Sequence, residues 1–270
     1  MRIGLGLAIA LALLLSAAEA QESITYASAD GTPVRARLFL PSGAGPFPAI
    51  VALHGCGGPN DSRGGLSRRH RDWAERWVGQ GYAVLFPDSF GSRGFGSLCN
   101  TRDREVRPGR ERAADVAGAR TYLQARRDIR ADAISLVGWS NGGSTVLHAI
   151  RPEARANDGR PDFARAVAFY PGCRLPAQRG ATARLPLLLL IGEADNWTPP
   201  EPCRAYAAQA GRVQLVTYPS AVHGFDDPAS RLRERSGLGF TADGSGRARV
   251  GTDPQARADA IGRVTAFLGN

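Results

Sequence analysis

Lysine is absent from this chain of 270 residues, so all 34 basic residues are arginine, set against 25 acids for a net charge of +9. An excess of that size can attract nucleic acid or anionic surfaces. The arginines are nevertheless interspersed with acids, as in RRHRDWAER and TRDREVRPGRER, and no basic block with interleaved aromatics occurs. That pattern describes solvated faces, so no nucleic-acid partner is expected. No C-x-x-C pair is present, so the spacing of the cysteines fits no metal or dithiol redox motif of that kind. Internal repeats and low-complexity tracts are lacking too, and no apolar run reaches the roughly 20 residues that a membrane-spanning helix needs.

The composition that remains, 43% hydrophobic and 22% charged, suits one large α/β domain with a substantial core. Residues 1–20 stand apart. Arg2, an apolar run from Ile3 to Leu15 and the small-x-small sequence Ala18-Glu19-Ala20 have the form of a secretory signal peptide. Residues 21–270 are then the mature domain, expected to be periplasmic or extracellular. No stable membrane anchor is expected, since no cysteine follows the run to carry a lipid. Export implies an oxidising compartment, so Cys56, Cys99, Cys173 and Cys203 are expected in disulfides, with three pairings open.

Along that domain the stretch SITYASADGTPVRARLFLP alternates around Asp30-Gly31 and predicts an antiparallel hairpin. From there apolar strands alternate with helical stretches. The strands are PAIVALHG, YAVLFPD, AISLVG, ARAVAFYPG, LPLLLLIGEAD and VQLVTYP; helices are expected over residues 68–80, 110–127 and 254–268, with another after Ser140. This order predicts a mostly parallel sheet with helices on both faces. Residues 226–252, rich in Gly and Arg, are the least regular part, either a surface excursion or a wall of the active site.

Ligands of such sheets bind at the carboxyl ends of the strands, and each candidate residue follows a strand. Gly138-Trp139-Ser140-Asn141-Gly142 has the form of a nucleophile elbow, in which glycines let a serine sit at the tip of a sharp strand-to-helix turn. A serine hydroxyl needs a base, and the base needs an orienting carboxylate. Asp195 and His223 follow Ser140 in the order this fold uses, with Glu193 as the rival acid. His54 precedes the serine, the wrong order for a base, and is expected to brace its loop; His70 and His148, on helices, are expected to be packed or solvent-facing. The oxyanion needs two amides. Asn141 offers one, and the loop LHGCGG offers the other through Cys56, with Gly57 as rival.

These residues resemble the dienelactone hydrolases of the α/β-hydrolase superfamily. IVALHGCGG, GYAVLFPDSFGSRG, LVGWSNGG, LLLLIGEADNWTPP and YPSAVHGF stand in that family's order across most of the mature chain, with PDSFGSRG and AVHGF the more specific segments. The resemblance implies the α/β-hydrolase fold and hydrolysis of a small-molecule carboxylic ester or lactone through an acyl-enzyme, without metal or cofactor. Ser140 stands where the family's characterised enzymes carry a cysteine, so a serine esterase is expected, of substrate unassigned. The family's strand order also implies the pairs Cys56–Cys99 and Cys173–Cys203, the first pinning the oxyanion loop. Arg93, Trp139 and Trp197 are the residues expected to line the pocket, Arg93 by meeting a substrate carboxylate. A serine peptidase of the same superfamily and a non-catalytic exported binding protein are the alternative functions.

Overall fold

The computed structural model describes residues 20–269. The expected leader, residues 1–20, lies outside the described residues apart from Ala20, which opens the first strand. Strands β1 (Ala20–Ala27) and β2 (Pro33–Leu40) form the antiparallel hairpin. Its turn needs Gly31, whose φ of +87° an L side chain rarely adopts. Along β2, Val34, Ala36 and Leu38 are buried and alternate with less buried neighbours, the pattern of a sheet edge with one face on the core.

The chain then alternates as the apolar runs predict. β3 (Phe47–Leu53), α1 (Arg68–Gly79), β4 (Ala83–Pro87), α2 (Glu111–Gln124), β5 (Ile129–Trp139) and α3 (Asn141–Ala149) lead up to and past the serine. β6 (Ala166–Phe169), the short α4 (Arg174–Gln178), β7 (Leu187–Gly192), α5 (Pro200–Gln209) and β8 (Val213–Tyr218) follow. A two-stranded ribbon of β9 (Arg233–Arg235) and β10 (Ala248–Val250) precedes the closing helix α6 (Pro254–Gly269). The main sheet runs β1-β2-β4-β3-β5-β6-β7-β8, parallel from β4 to β8. All six residues of β7 are buried, which is possible only for a strand covered on both faces. Helices α1 and α6 are tied by Gln80 Nε2 donating to Thr265, while α2 packs against α3.

The sequence pattern did not announce α5 or the ribbon. In α5, PEPCRAYAAQ, only Pro200, Cys203 and Tyr206 are buried, so its apolar stripe is too narrow to read. Of residues 226–252, Phe240, Thr241 and Ala242 line the cleft described below. Gly239 N donates to Cys99 O, Ala242 N donates to Asn196 O, and β10 lies beside His223 through a bridge at Val250. Beneath the strand ends, Trp73 and Trp77 of α1 pack with Trp139 and Phe169, with ring centroids 5.1 to 6.4 Å apart.

Candidate active site

Ser140 sits at the tip of the turn between β5 and α3 with φ +52° and ψ −112°, a conformation that costs a non-glycine residue roughly 1–3 kcal/mol. The glycines around it are required by distance. A Cβ on Gly142 would lie 1.9 Å from the Leu53 carbonyl oxygen, and one on Gly138 would lie 2.3 Å from that of Gly142. The turn is closed by Ser140 N donating to Phe169 O at 2.9 Å.

The structure brings Ser140, His223 and Asp195 together. His223 Nδ1 lies 2.8 Å from Asp195 Oδ2, and His223 Nε2 lies 2.9 Å from Ser140 Oγ. An ionised carboxylate only accepts, so Nδ1 carries the proton and Nε2 is left to accept from the serine hydroxyl. Asp195 is 2% exposed, and its other oxygen accepts the backbone N–H groups of Trp197 and Thr198, each at 2.9 Å. Thr198, which sequence reasoning missed, places its Oγ1 3.0 Å from Asp195 Oδ2 and 3.1 Å from His223 Nδ1. The rival acid Glu193 is paired with Arg204 instead, which holds its carboxyl below the usual range.

Asn141 is the first residue of α3, so its amide has no acceptor within the helix. The loop after β3 passes against the elbow: a Cβ on Gly55 would lie 3.6 Å from Ser140 Cβ, and Cys56 lines the same cleft as Ser140 and Asn141. Disulfides join Cys56 to Cys99 and Cys173 to Cys203, the pairing that the resemblance implies. Behind Asn141 stands Arg112, 1% exposed, which donates through Nη1 to the Asn141 side-chain oxygen and has no carboxylate partner of its own. Burial lowers its pKa to about 10. The R-x-x-D spacing from Arg112 to Asp115 in α2 carried no signal that either residue turns toward the elbow region.

A cleft of about 720 Å³ opens over Ser140. Trp197 lines it as expected; Trp139 and Arg93 do not, and both expectations are corrected. Trp139 is fully buried under the elbow, and its indole N–H donates at 2.8 Å to Asp226, a buried carboxylate that also accepts from Trp73 and Tyr170 and lies 3.3 Å from Arg69. Arg93 donates to both oxygens of buried Asp115, at 2.9 and 2.8 Å, and approaches Asp30, so its fork is already filled. His54 is buried against Phe90 and braces the loop, and His70 is buried with its ring nitrogen near Pro59 O. His148 departs from expectation by lining the cleft.

A parallel sheet with a strained serine at a strand end, within reach of a buried His and Asp, defines an α/β-hydrolase. The chain belongs to the dienelactone hydrolase family, whose model matches residues 34–270. Among solved structures, esterase 2 of Thermogutta terrifontis, phosphoramylated by tabun, has a TM-score of 0.62 at 19% identity, over 92% of this chain and 93% of that one. A dienelactone hydrolase-like promiscuous phosphotriesterase from metagenomic libraries has a TM-score of 0.63 at 18% identity, over 93% and 98%. Porphyromonas gingivalis dipeptidyl peptidase 4 shares the fold with a TM-score of 0.58 at 18% identity, over 76% of this chain and 32% of that one. Two Mycobacterium tuberculosis proteins bearing the name phosphoribosyl transferase are 29% identical over 204 residues, which is 73% of this chain. The chain spans 41% of the length of these curated relatives.

Proposed function

We propose that the protein is an exported serine hydrolase that cleaves carboxylic esters or lactones through an acyl-enzyme. The observation that carries this reading is the continuous contact from Ser140 Oγ through His223 to Asp195, held on a backbone that is strained at the serine. His223 takes the serine proton as Oγ attacks the ester carbonyl, and Asp195 stabilises the imidazolium that forms. The amides of Asn141 and Cys56 receive the oxyanion, helped by the positive end of α3. His223 then returns the proton to the departing alcohol, and a water molecule repeats the attack on the acyl-enzyme to release the acid. Two buried disulfides support the export reading, because such bonds persist in oxidising compartments.

The test is the intact mass of the protein before and after a fluorophosphonate probe, with Ser140→Ala and His223→Ala alongside. A single adduct that requires Ser140 and forms far more slowly without His223 is the expected result. No adduct on folded protein would refute the hydrolase and leave the binding-protein reading in its place. A folded protein that acylates from peptide amides as readily as from esters would favour the peptidase.

A further inference from the structure

The cleft over Ser140 is lined by seven arginines and a single acid, Asp103. Arg107 and Arg110 share Glu111. Among the described residues, no carboxylate oxygen lies within 4.0 Å of the guanidinium of Arg102, Arg104, Arg151, Arg174 or Arg179. Like charges gathered on one concave wall repel one another and focus a positive potential into the space they enclose. His148 lies in the same lining, where burial and then the neighbouring charges of Arg151 and Arg179 hold its pKa at about 4. Its ring is therefore neutral at pH 7, and its buried Nδ1 has no partner.

The arginines come from two directions. Arg102 and Arg104 belong to the connection from β4 to α2, whereas Arg174 and Arg179 belong to α4 and its end, after β6. In the sheet, β5, which Ser140 follows, lies between β4-β3 on one side and β6 on the other. Positive charge thus enters the cleft of Ser140 from segments that follow strands on both sides of β5. The lining also has apolar members, among them Leu175 and Phe240, each 51% exposed, and Trp197. Arg104 is laid over the Phe240 ring at 4.6 Å, and its Nε donates to the Leu98 and Thr101 carbonyls, so one charged group is already held in place.

Resting on the ester-hydrolase reading above, we propose that the substrate is an ester with an apolar body and an anionic group on each side of the scissile bond, one on the acyl part and one on the alcohol. A carboxylate or a phosphate provides the shared chemistry, an oxyanion that takes two parallel guanidinium bonds. The second charge sets this requirement apart from a single clamp of the kind expected of Arg93, which Asp115 occupies.

Four matched aryl esters test it: phenyl butyrate, phenyl hemiglutarate with charge on the acyl part, 3-carboxyphenyl butyrate with charge on the alcohol, and 3-carboxyphenyl hemiglutarate with both. A fifth, with phosphate in place of the aryl carboxylate, distinguishes the two anions. The expected kcat/KM rises about tenfold for each charge, mostly through KM, and this advantage shrinks at high ionic strength. In Arg104→Gln and Arg179→Gln the ratio of charged to neutral ester falls about tenfold, each variant penalising a different one of the two singly charged esters. Equal kcat/KM for all the esters, or insensitivity to salt, overturns the proposal and leaves the hydrolase reading intact. A Ser140 adduct without turnover of the doubly charged ester also overturns the proposal alone, while no adduct and no turnover of any ester overturns both.

Discussion

Removing the two disulfides separately distinguishes a stabilising bridge from one that also serves the reaction. Cys56 and Cys99 close a loop with a sequence separation of 43, Cys173 and Cys203 one of 30. On the chain-entropy account each crosslink is worth about 4 kcal/mol, because the dependence on loop length is only logarithmic. For a domain of this size each paired Cys→Ala variant should therefore lose roughly 8–16 °C of Tm, and the two losses should be nearly equal. Their kinetics should differ. Cys56 carries one proposed oxyanion amide, and without the bridge its loop is tied to the facing loop mainly by Leu98 N donating to Cys56 O at 2.8 Å. Complete loss of one oxyanion donor costs about 100- to 1000-fold in kcat. A loop that still visits the right position should lose less, about 10- to 100-fold, with KM little changed. Cys173 lies near the cleft rim and presents no such amide, so its pair should keep kcat within a few-fold. The assay is steady-state hydrolysis of an aryl ester well below both melting temperatures, beside thermal unfolding. Equal losses of kcat in the two variants, or wild-type kcat without Cys56–Cys99, would refute the role given to the first bridge.

Four further outcomes follow from contacts already described. Asp195→Asn should lower kcat by about 10⁴ by leaving the imidazole in the wrong tautomer, whereas Glu193→Gln, which breaks only a surface pair with Arg204, should not. Arg112→Met should lower kcat about tenfold with KM nearly unchanged, since Arg112 reaches the site only through the Asn141 side chain; adding Asn141→Ala to it should cost little more, and additive losses would show a different route. Asp226→Ala leaves the indole N–H groups of Trp73 and Trp139, the Tyr170 hydroxyl and the Arg69 charge without their buried acceptor, so denaturant unfolding should show a loss of about 3–5 kcal/mol. His70 is buried, and burial lowers its pKa from 6.5 to about 4, so the unfolded chain takes the proton first and stability is lost as pH falls through that window. The contribution is about 3 kcal/mol, and the slope of stability between those pH values should flatten in His70→Asn; an unchanged slope would mean that the ring is not held neutral.

The elements that were legible are those whose cause is local. Continuous apolar runs such as LLLLI, short and bounded by turn residues, read as covered strands, and Gly138 answers to a collision of 2.3 Å with the Gly142 carbonyl within the turn itself. The positions of Asp195 and His223 were readable for a related reason, since parallel strands deliver the residues that follow them to one edge of the sheet. Helix α5 and the β9–β10 ribbon were not readable, because too few of their residues are buried to imprint a period.

Arginine marks the boundary between the two kinds of knowledge. Its side chain is long, always charged and able to take any oxyanion within reach, so the sequence by itself determined only that arginine is plentiful and lysine absent. Which arginines are spent on the fold was decided by neighbours distant in the chain: Asp115 takes Arg93, Asp226 takes Arg69, and Asn141 takes Arg112. Which of them gather around the cleft of Ser140 was decided by where the β4–α2 connection, the segment after α3 and helix α4 come to lie. The turn that holds the candidate nucleophile is therefore written in a few contiguous residues, while the charge of the cleft is a sum over segments that only the tertiary structure brings together.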